Sequence, residues 1–243
     1  MPTRAAILDE YMGTLLSGQR AACRRFVLAR LEQVDDAAAI FHDLLWPAME
    51  RVEALYRGDK INAACEHMAT RIIRAIADQV QLRLTTSPAN GKRIVIACAE
   101  GEPEELGAHM CADLFEAGGW EVYFLGGGVP NDETLSLVGQ LQPHILLIFG
   151  TQPQGVPGVR HLIDLIREIG VNPTMNIMVS GGVFNRADGL WKEVHADLSA
   201  VSAREAVPIA DAAPPRKAEA IKPGAPKKRR RRRRSPLLAA AQG

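Results

Sequence analysis

No run of the chain approaches the roughly 18 apolar residues that a membrane span requires, and the opening MPTRAAILDEYMG has no apolar core of the kind found in signal peptides. The expectation is a soluble, cytoplasmic protein. The four cysteines, Cys23, Cys65, Cys98 and Cys111, form no C-x-x-C pair. That excludes a zinc ribbon, and without a secretory signal free thiols are the expected state. Gly126-Gly127-Gly128 has neither the spacing nor the lysine of a phosphate-binding loop. No nucleophile, acid–base pair or cluster of metal ligands converges on a reactive centre, so sensing or regulation is expected rather than catalysis.

What is present is an ordinary globular balance, 47% hydrophobic and 23% charged, over 243 residues. That length suits two compact units and a tail. A net charge of +1 hides a division. From Ala212 to Gly243 eleven Lys and Arg face one acid, Glu219, so this end carries +10 and the preceding 211 residues carry −9.

Residues 4–84 read as helices, with apolar positions at helical spacing: Ile7, Tyr11 and Leu15, then Cys23, Phe26 and Val27, then Val52, Leu55 and Tyr56, then Ile72, Ile73, Ile76 and Val80. Polar breaks at Ser17-Gly18, Gln33–Asp36 and Arg57–Lys60 divide them into four helices, and Pro47 suits a first helical turn. A bundle follows (1–84), then a Ser/Pro/Asn/Gly linker (85–92). Beyond it, short apolar runs at Ile94–Cys98, Val122–Leu125, Ile145–Phe149, Ile177–Val179 and Leu198–Val201 are separated by helical patterns. Alternation of this kind predicts a Rossmann-like parallel sheet over 93–207. From Pro208 to the end, Ala, Pro, Lys and Arg dominate, and a disordered tail is expected. The fold class is α/β: a four-helix bundle, then a flavodoxin-like parallel-sheet domain.

Ligands of such sheets bind beyond the carboxyl ends of the strands. Three loops qualify: Ala99–Gly107, Gly150–Gly155 and Ser180–Asn185. Gly181-Gly182 admits a flat ligand close to the backbone, and Thr151 and Gln152 can hydrogen-bond its polar edge. The run Lys227, Lys228, Arg229, Arg230, Arg231, Arg232, Arg233, Arg234 is expected to attract nucleic acid or another polyanion in a salt-dependent way. It contains no aromatic residue, so base stacking is not expected.

Tyr11…Leu15-Leu16-Ser17-Gly18, Pro47-Ala48-Met49, Val52-Glu53-Ala54-Leu55-Tyr56 and Glu66-His67-Met68-Ala69-Thr70 are followed by Glu102-x-Glu104-x-x-Gly107, Val122-x-Phe124-Leu125-Gly126 and Gly181-Gly182. In this order they resemble the cobalamin-binding proteins that place a four-helix cap before a flavodoxin-like corrinoid domain. B12-dependent photoreceptor regulators, methionine synthase modules and methyltransferase corrinoid proteins are among them.

The resemblance implies a cobalamin cofactor, adenosyl- or another form, in the cleft between cap and sheet. Tyr56, Glu66, His67, Glu102, Glu104, Gly107, Thr151, Gln152, Gly181 and Gly182 are the residues it implies around the cofactor. The family's first loop carries a histidine that ligates cobalt; Glu104 stands in its place here, and a carboxylate is a poor substitute for imidazole on that metal. Tyr56 matches the Trp of photoreceptor members, Arg57 their following His, and Thr151-Gln152-Pro153 the usual S-x-L. The expectation drawn from this pattern is a tetrapyrrole-binding sensor or regulator, light-responsive, acting on a partner regulator or through homo-oligomers. The alternatives are a bilin such as biliverdin, or haem, in place of cobalamin, and a corrinoid carrier of a methyltransferase system.

Overall fold

The computed structural model of the protein describes residues 3–217. The expected basic segment Lys227–Arg234 lies outside them. The helical part comprises α1 (Arg4–Leu16), α2 (Arg20–Leu31), α3 (Ala38–Ile40), α4 (Trp46–Arg57) and α5 (Ala63–Val80). Thr3 starts α1 by accepting the Ala6 N–H at 3.3 Å, and Asn62 starts α5 by accepting that of Cys65 at 2.9 Å. Pro47, which the sequence places at a helix start, lies one residue inside α4. The helix enters α4 from α3 through a π-turn, Phe41–Leu45, in which the Trp46 N–H bonds to the Phe41 carbonyl. A proline has no N–H to give and crowds the carbonyl four residues back, and the wider π-turn meets that demand without breaking the helix.

The second part is a five-stranded parallel sheet of β1 (Arg93–Cys98), β2 (Glu121–Gly126), β3 (Ile145–Phe149), β4 (Asn176–Ser180) and β5 (Leu198–Ala200), in the order β2-β1-β3-β4-β5. Ile94 lies opposite Ile145, Ile145 opposite Asn176, and Met178 opposite Leu198. Helices α6 (Leu106–Ala117), α7 (Asn131–Leu141), α8 (Val156–Ile169), α9 (Gly182–Arg186), α10 (Leu190–Glu193) and α11 (Ala203–Ala212) complete the described chain. Alternate residues of each strand face opposite ways. Ile94, Ile96, Ile145, Leu147 and Met178 pack with α6, α11 and the bundle, whereas Val95, Leu146, Ile148, Ile177 and Val179 pack with α7 and α8. The cores of the bundle and of the first sheet face are one continuous cluster. The cap is therefore a third layer over α6, and its position is set by apolar burial.

The folded chain does not end at Pro208. Helix α11 runs through that proline to Ala212, with Ala203, Ala206 and Ala210 buried. Two anchors hold its end: Trp120 Nε1 donates to Asp211 Oδ1 at 2.9 Å, and Lys92 Nζ to the Asp211 carbonyl at 2.9 Å. The chain then lies along the sheet's lower edge, where the Arg216 N–H bonds to the Thr174 carbonyl and Asn176 Nδ2 donates to the Pro214 carbonyl. Composition marks a boundary there; small alanines packed on α6 carry the fold past it.

Candidate functional site

In the order β2-β1-β3, the chain turns one way from β1 and the other way into β3, the switch point at which parallel α/β sheets bind ligands, beyond the carboxyl ends of the strands. The loops after β1, β3 and β4 meet there, and α4 and α5 stand over them.

The β1 loop is tied down from within. Glu102 is buried, and its carboxylate accepts the Thr151 N–H at 2.7 Å and the Thr151 hydroxyl at 2.5 Å, with the Gln152 N–H at 3.4 Å. Thr151 thus uses both its donors on its own chain. It does not offer them to a ligand's edge, a correction to the sequence reading. The Gln152 side chain is exposed at the same loop.

Glu104 begins α6. Its Oε1 accepts the Leu106 N–H at 2.8 Å, so one carboxylate oxygen caps the helix. The next residue, Glu105, takes Arg74 of α5 at 2.7 Å and the Gly127 N–H at 2.9 Å. These two contacts, the Gly127 bond first, hold its carboxyl below the ordinary carboxylate value. No motif marks this residue, which links cap, β1 loop and β2 loop.

Glu66 projects from α5 towards the rim. Burial, with added repulsion from Glu104 and then Glu53, raises its carboxyl above the usual value despite its neighbours His67 and Arg71. His67 Nε2 lies 3.7 Å from Glu66 Oε2, and its own side chain points largely to water. Tyr56, one turn after Glu53 on α4, is exposed as well. His109 takes no part in the rim. It is half-buried between α6 and α5, beside Phe124 and facing Asp78 and Asp113.

The glycines differ in what they serve. A Cβ at Gly107 would stand 2.3 Å from Phe149 Cζ, and one at Gly181, whose φ is +102°, 2.3 Å from the Gly150 carbonyl oxygen. Both are demanded by the chain's own packing. At Gly182 a Cβ would instead meet the tips of two flexible side chains, Arg186 Nη1 at 2.5 Å and Glu53 Oε1 at 2.8 Å. Of the pair, Gly182 is the one that lies beneath movable groups. Arg186 and Glu53 were both missed in the sequence, since an Arg on a surface helix and a Glu on a bundle face carry no distinguishing pattern.

The rim thus joins a glycine backbone under a movable ion pair, an exposed amide, and carboxylates at partly buried positions. Such a set suits a large, mostly neutral ligand rich in amide N–H groups, which carboxylates and carbonyls accept. The β1 loop brings no imidazole to it, and among the described residues no group of three or more His, Cys, Asp or Glu is arranged to hold a metal ion. A corrin fits this set when gripped by its amide edge. The loop supplies no nitrogen for its metal.

Residues 92–210 match the family model described as the B12 binding domain, and residues 7–81 match a second model of the same description. The dimethylamine corrinoid protein 2 of Methanosarcina mazei is 25% identical over 213 residues, covering 85% of this chain and 96% of that protein. The HTH-type transcriptional repressor CarA of Myxococcus xanthus is 28% identical over 122 residues, covering 50% of this chain and 40% of the repressor. Among solved structures, the monomethylamine corrinoid protein of Methanosarcina barkeri superposes with a TM-score of 0.76 at 18% identity, covering 86% of this chain and 98% of that one. At that identity the superposition speaks for the fold alone.

Proposed function

The chain belongs to the B12-binding domain family, and from that premise we propose that it is a corrinoid protein of a methyl-transfer system, holding its cofactor between the cap and the sheet's rim for partner methyltransferases. The observation that carries this reading is the extent of agreement. Cap and sheet domain together run along 96% of a dimethylamine corrinoid protein, against 40% of a transcriptional repressor. The light-responsive regulator expected from the sequence draws no support from a relative matched over its whole length, and the carrier takes its place.

The bound corrinoid supplies a cobalt centre able to take up and release a methyl group. This chain's residues do the holding. Gly182 brings the backbone close, Gln152 offers its amide from the β3 loop and Tyr56 its phenol from the cap, and Glu66 and Glu104 accept from amide N–H groups. Glu102, through Thr151, sets the height of the β3 loop. Glu104 stands in the place of the family's histidine and holds the Leu106 N–H, so the β1 loop would contribute no imidazole to a bound corrinoid. The run Lys227–Arg234 adds, in this reading, a nonspecific attachment to polyanions that is separate from the cofactor site.

Offering hydroxocobalamin, haem and biliverdin separately to the purified protein tests the proposal. One hydroxocobalamin should be taken up per chain. After reduction the bound corrinoid should accept methyl from methyl iodide, and illumination should leave the assembly state unchanged. Uptake of haem or biliverdin without cobalamin would overturn the proposal. A light-driven change of assembly, with no methylation, would restore the sensor.

A further inference from the structure

Arg186 stands at the glycine rim with two oxygen partners. Its Nη1 donates to Glu53 Oε1 at 2.6 Å and its Nη2 to the Thr151 carbonyl at 2.6 Å. Glu53 comes from α4, so the cap places an oxyanion on a cation of the sheet domain. Both side chains are about one third exposed, 30% and 31%, and therefore free to exchange partners. Glu53 also has Arg57 one turn away, Nη1 to Oε1 3.9 Å, and keeps a cationic neighbour when Arg186 turns elsewhere. Two further acids, Glu66 and Glu104, turn towards this rim from the cap and the β1 loop, with His67 and Arg71 beside Glu66.

Resting on the corrinoid reading, we propose that Arg186 selects corrinoids bearing the phosphodiester of the nucleotide loop over those without it, the phosphodiester displacing the Glu53 carboxylate from the guanidinium. The side chains of a corrin ring are neutral amides, and the phosphodiester is the negatively charged group of the complete cofactor. A guanidinium takes two oxygens of such a group in the fork geometry it already uses on oxygen here. The exchange is oxyanion for oxyanion, so the guanidinium is never left without a partner. Glu66 and Glu104 repel a phosphodiester at their own part of the rim. Glu53 then acts as an internal competitor, and removing it has the opposite effect from removing Arg186.

The test titrates wild type, Arg186→Gln, Arg186→Lys and Glu53→Gln with hydroxocobalamin, cobinamide phosphate and cobinamide, read by absorbance at low and high salt. Cobinamide phosphate separates the charge from the base. Wild type should prefer both phosphate-bearing corrinoids over cobinamide by about tenfold at low salt, the difference shrinking at high salt. Arg186→Gln should abolish that preference, its loss for the two phosphate-bearing corrinoids exceeding any loss for cobinamide by about tenfold, and Arg186→Lys should recover part of it. Glu53→Gln should widen it. Equal affinity of wild type for all three ligands leaves the corrinoid reading intact and sinks the role of Arg186. An equal loss for all three in Arg186→Gln marks a purely structural clasp and also overturns the proposal. Failure of every protein to take up any corrinoid removes the reading and this inference together.

Discussion

Thr151 gives both its backbone N–H and its hydroxyl to the carboxylate of Glu102, at 2.7 and 2.5 Å, joining the loops after β1 and β3 inside the protein. Glu102→Gln sets an amide NH2 against donors that need an acceptor, and leaving buried donors unpaired costs about 1–3 kcal/mol. Thr151→Val loses the hydroxyl bond alone, and Thr151→Ser keeps both. Urea unfolding should rank Glu102→Gln as the least stable, then Thr151→Val, then Thr151→Ser. Equal stability of Glu102→Gln and wild type would show that the tie does not hold the loop.

A second prediction concerns pH. Asp113 of α6 is buried with Oδ2 unpaired, and burial, then Asp78 and Glu116, push its carboxyl up to about 7. Between about pH 4 and pH 7 the folded chain keeps a proton that the unfolded chain releases, so stability falls as pH rises through that window. His109 adds the opposite slope. Burial first, then Arg74, lowers its pKa against the raising effect of Asp78 and Glu105, so as pH falls below 6.5 the unfolded chain takes the proton first. Asp113→Asn should flatten the fall and raise stability at pH 8 by on the order of 2 kcal/mol. Melting temperatures from pH 4 to pH 8 decide it, and an unaltered profile in the variant counts against the burial argument.

Glu104→His tests where the loop lies relative to the cofactor. The substitution removes the cap on the Leu106 N–H and offers an imidazole in its place. A corrinoid bound at this rim should then show the absorption change of nitrogen ligation. The shift should disappear on acidification as the imidazole is protonated near its ordinary range. An identical spectrum in wild type and variant would place Glu104 away from the metal.

Truncation tests the end of the fold. A chain stopped after Lys217 keeps the Asp211 anchors and the edge contacts of Pro214 and Arg216. A chain stopped after Val207 uncovers the surface under Ala210 and deprives Trp120 Nε1 of its acceptor. The first should unfold within about 0.5 kcal/mol of the full chain, the second about 2–4 kcal/mol earlier. Denaturant midpoints of the two compared with the full-length protein read the difference.

Much of this architecture is local in origin and can be read along the chain. Apolar residues three and four apart mark α1, α2, α4 and α5, and β3 spans Ile145–Phe149, the run expected from composition. Such patterns record which face each element buries, and burial is the dominant favourable term in folding. Less was legible where a local rule is overridden. Pro208 marks an end by propensity, yet α11 runs through it, because packed alanines with two anchors hold it, whereas Pro47 keeps its expected place in the first turn of α4.

The order of amino acids determined the two-part build, the glycine-bearing loops and the absent histidine at Glu104, all of which depend on residue type and near neighbours. Partner choice among side chains came from the three-dimensional arrangement alone. Thr151 turns inward to Glu102, forty-nine positions away, and Arg186 meets Glu53 across 133. Pairings at such separations follow from how the layers stack, and a polar group's contribution depends on whether stacking leaves it water or an acceptor.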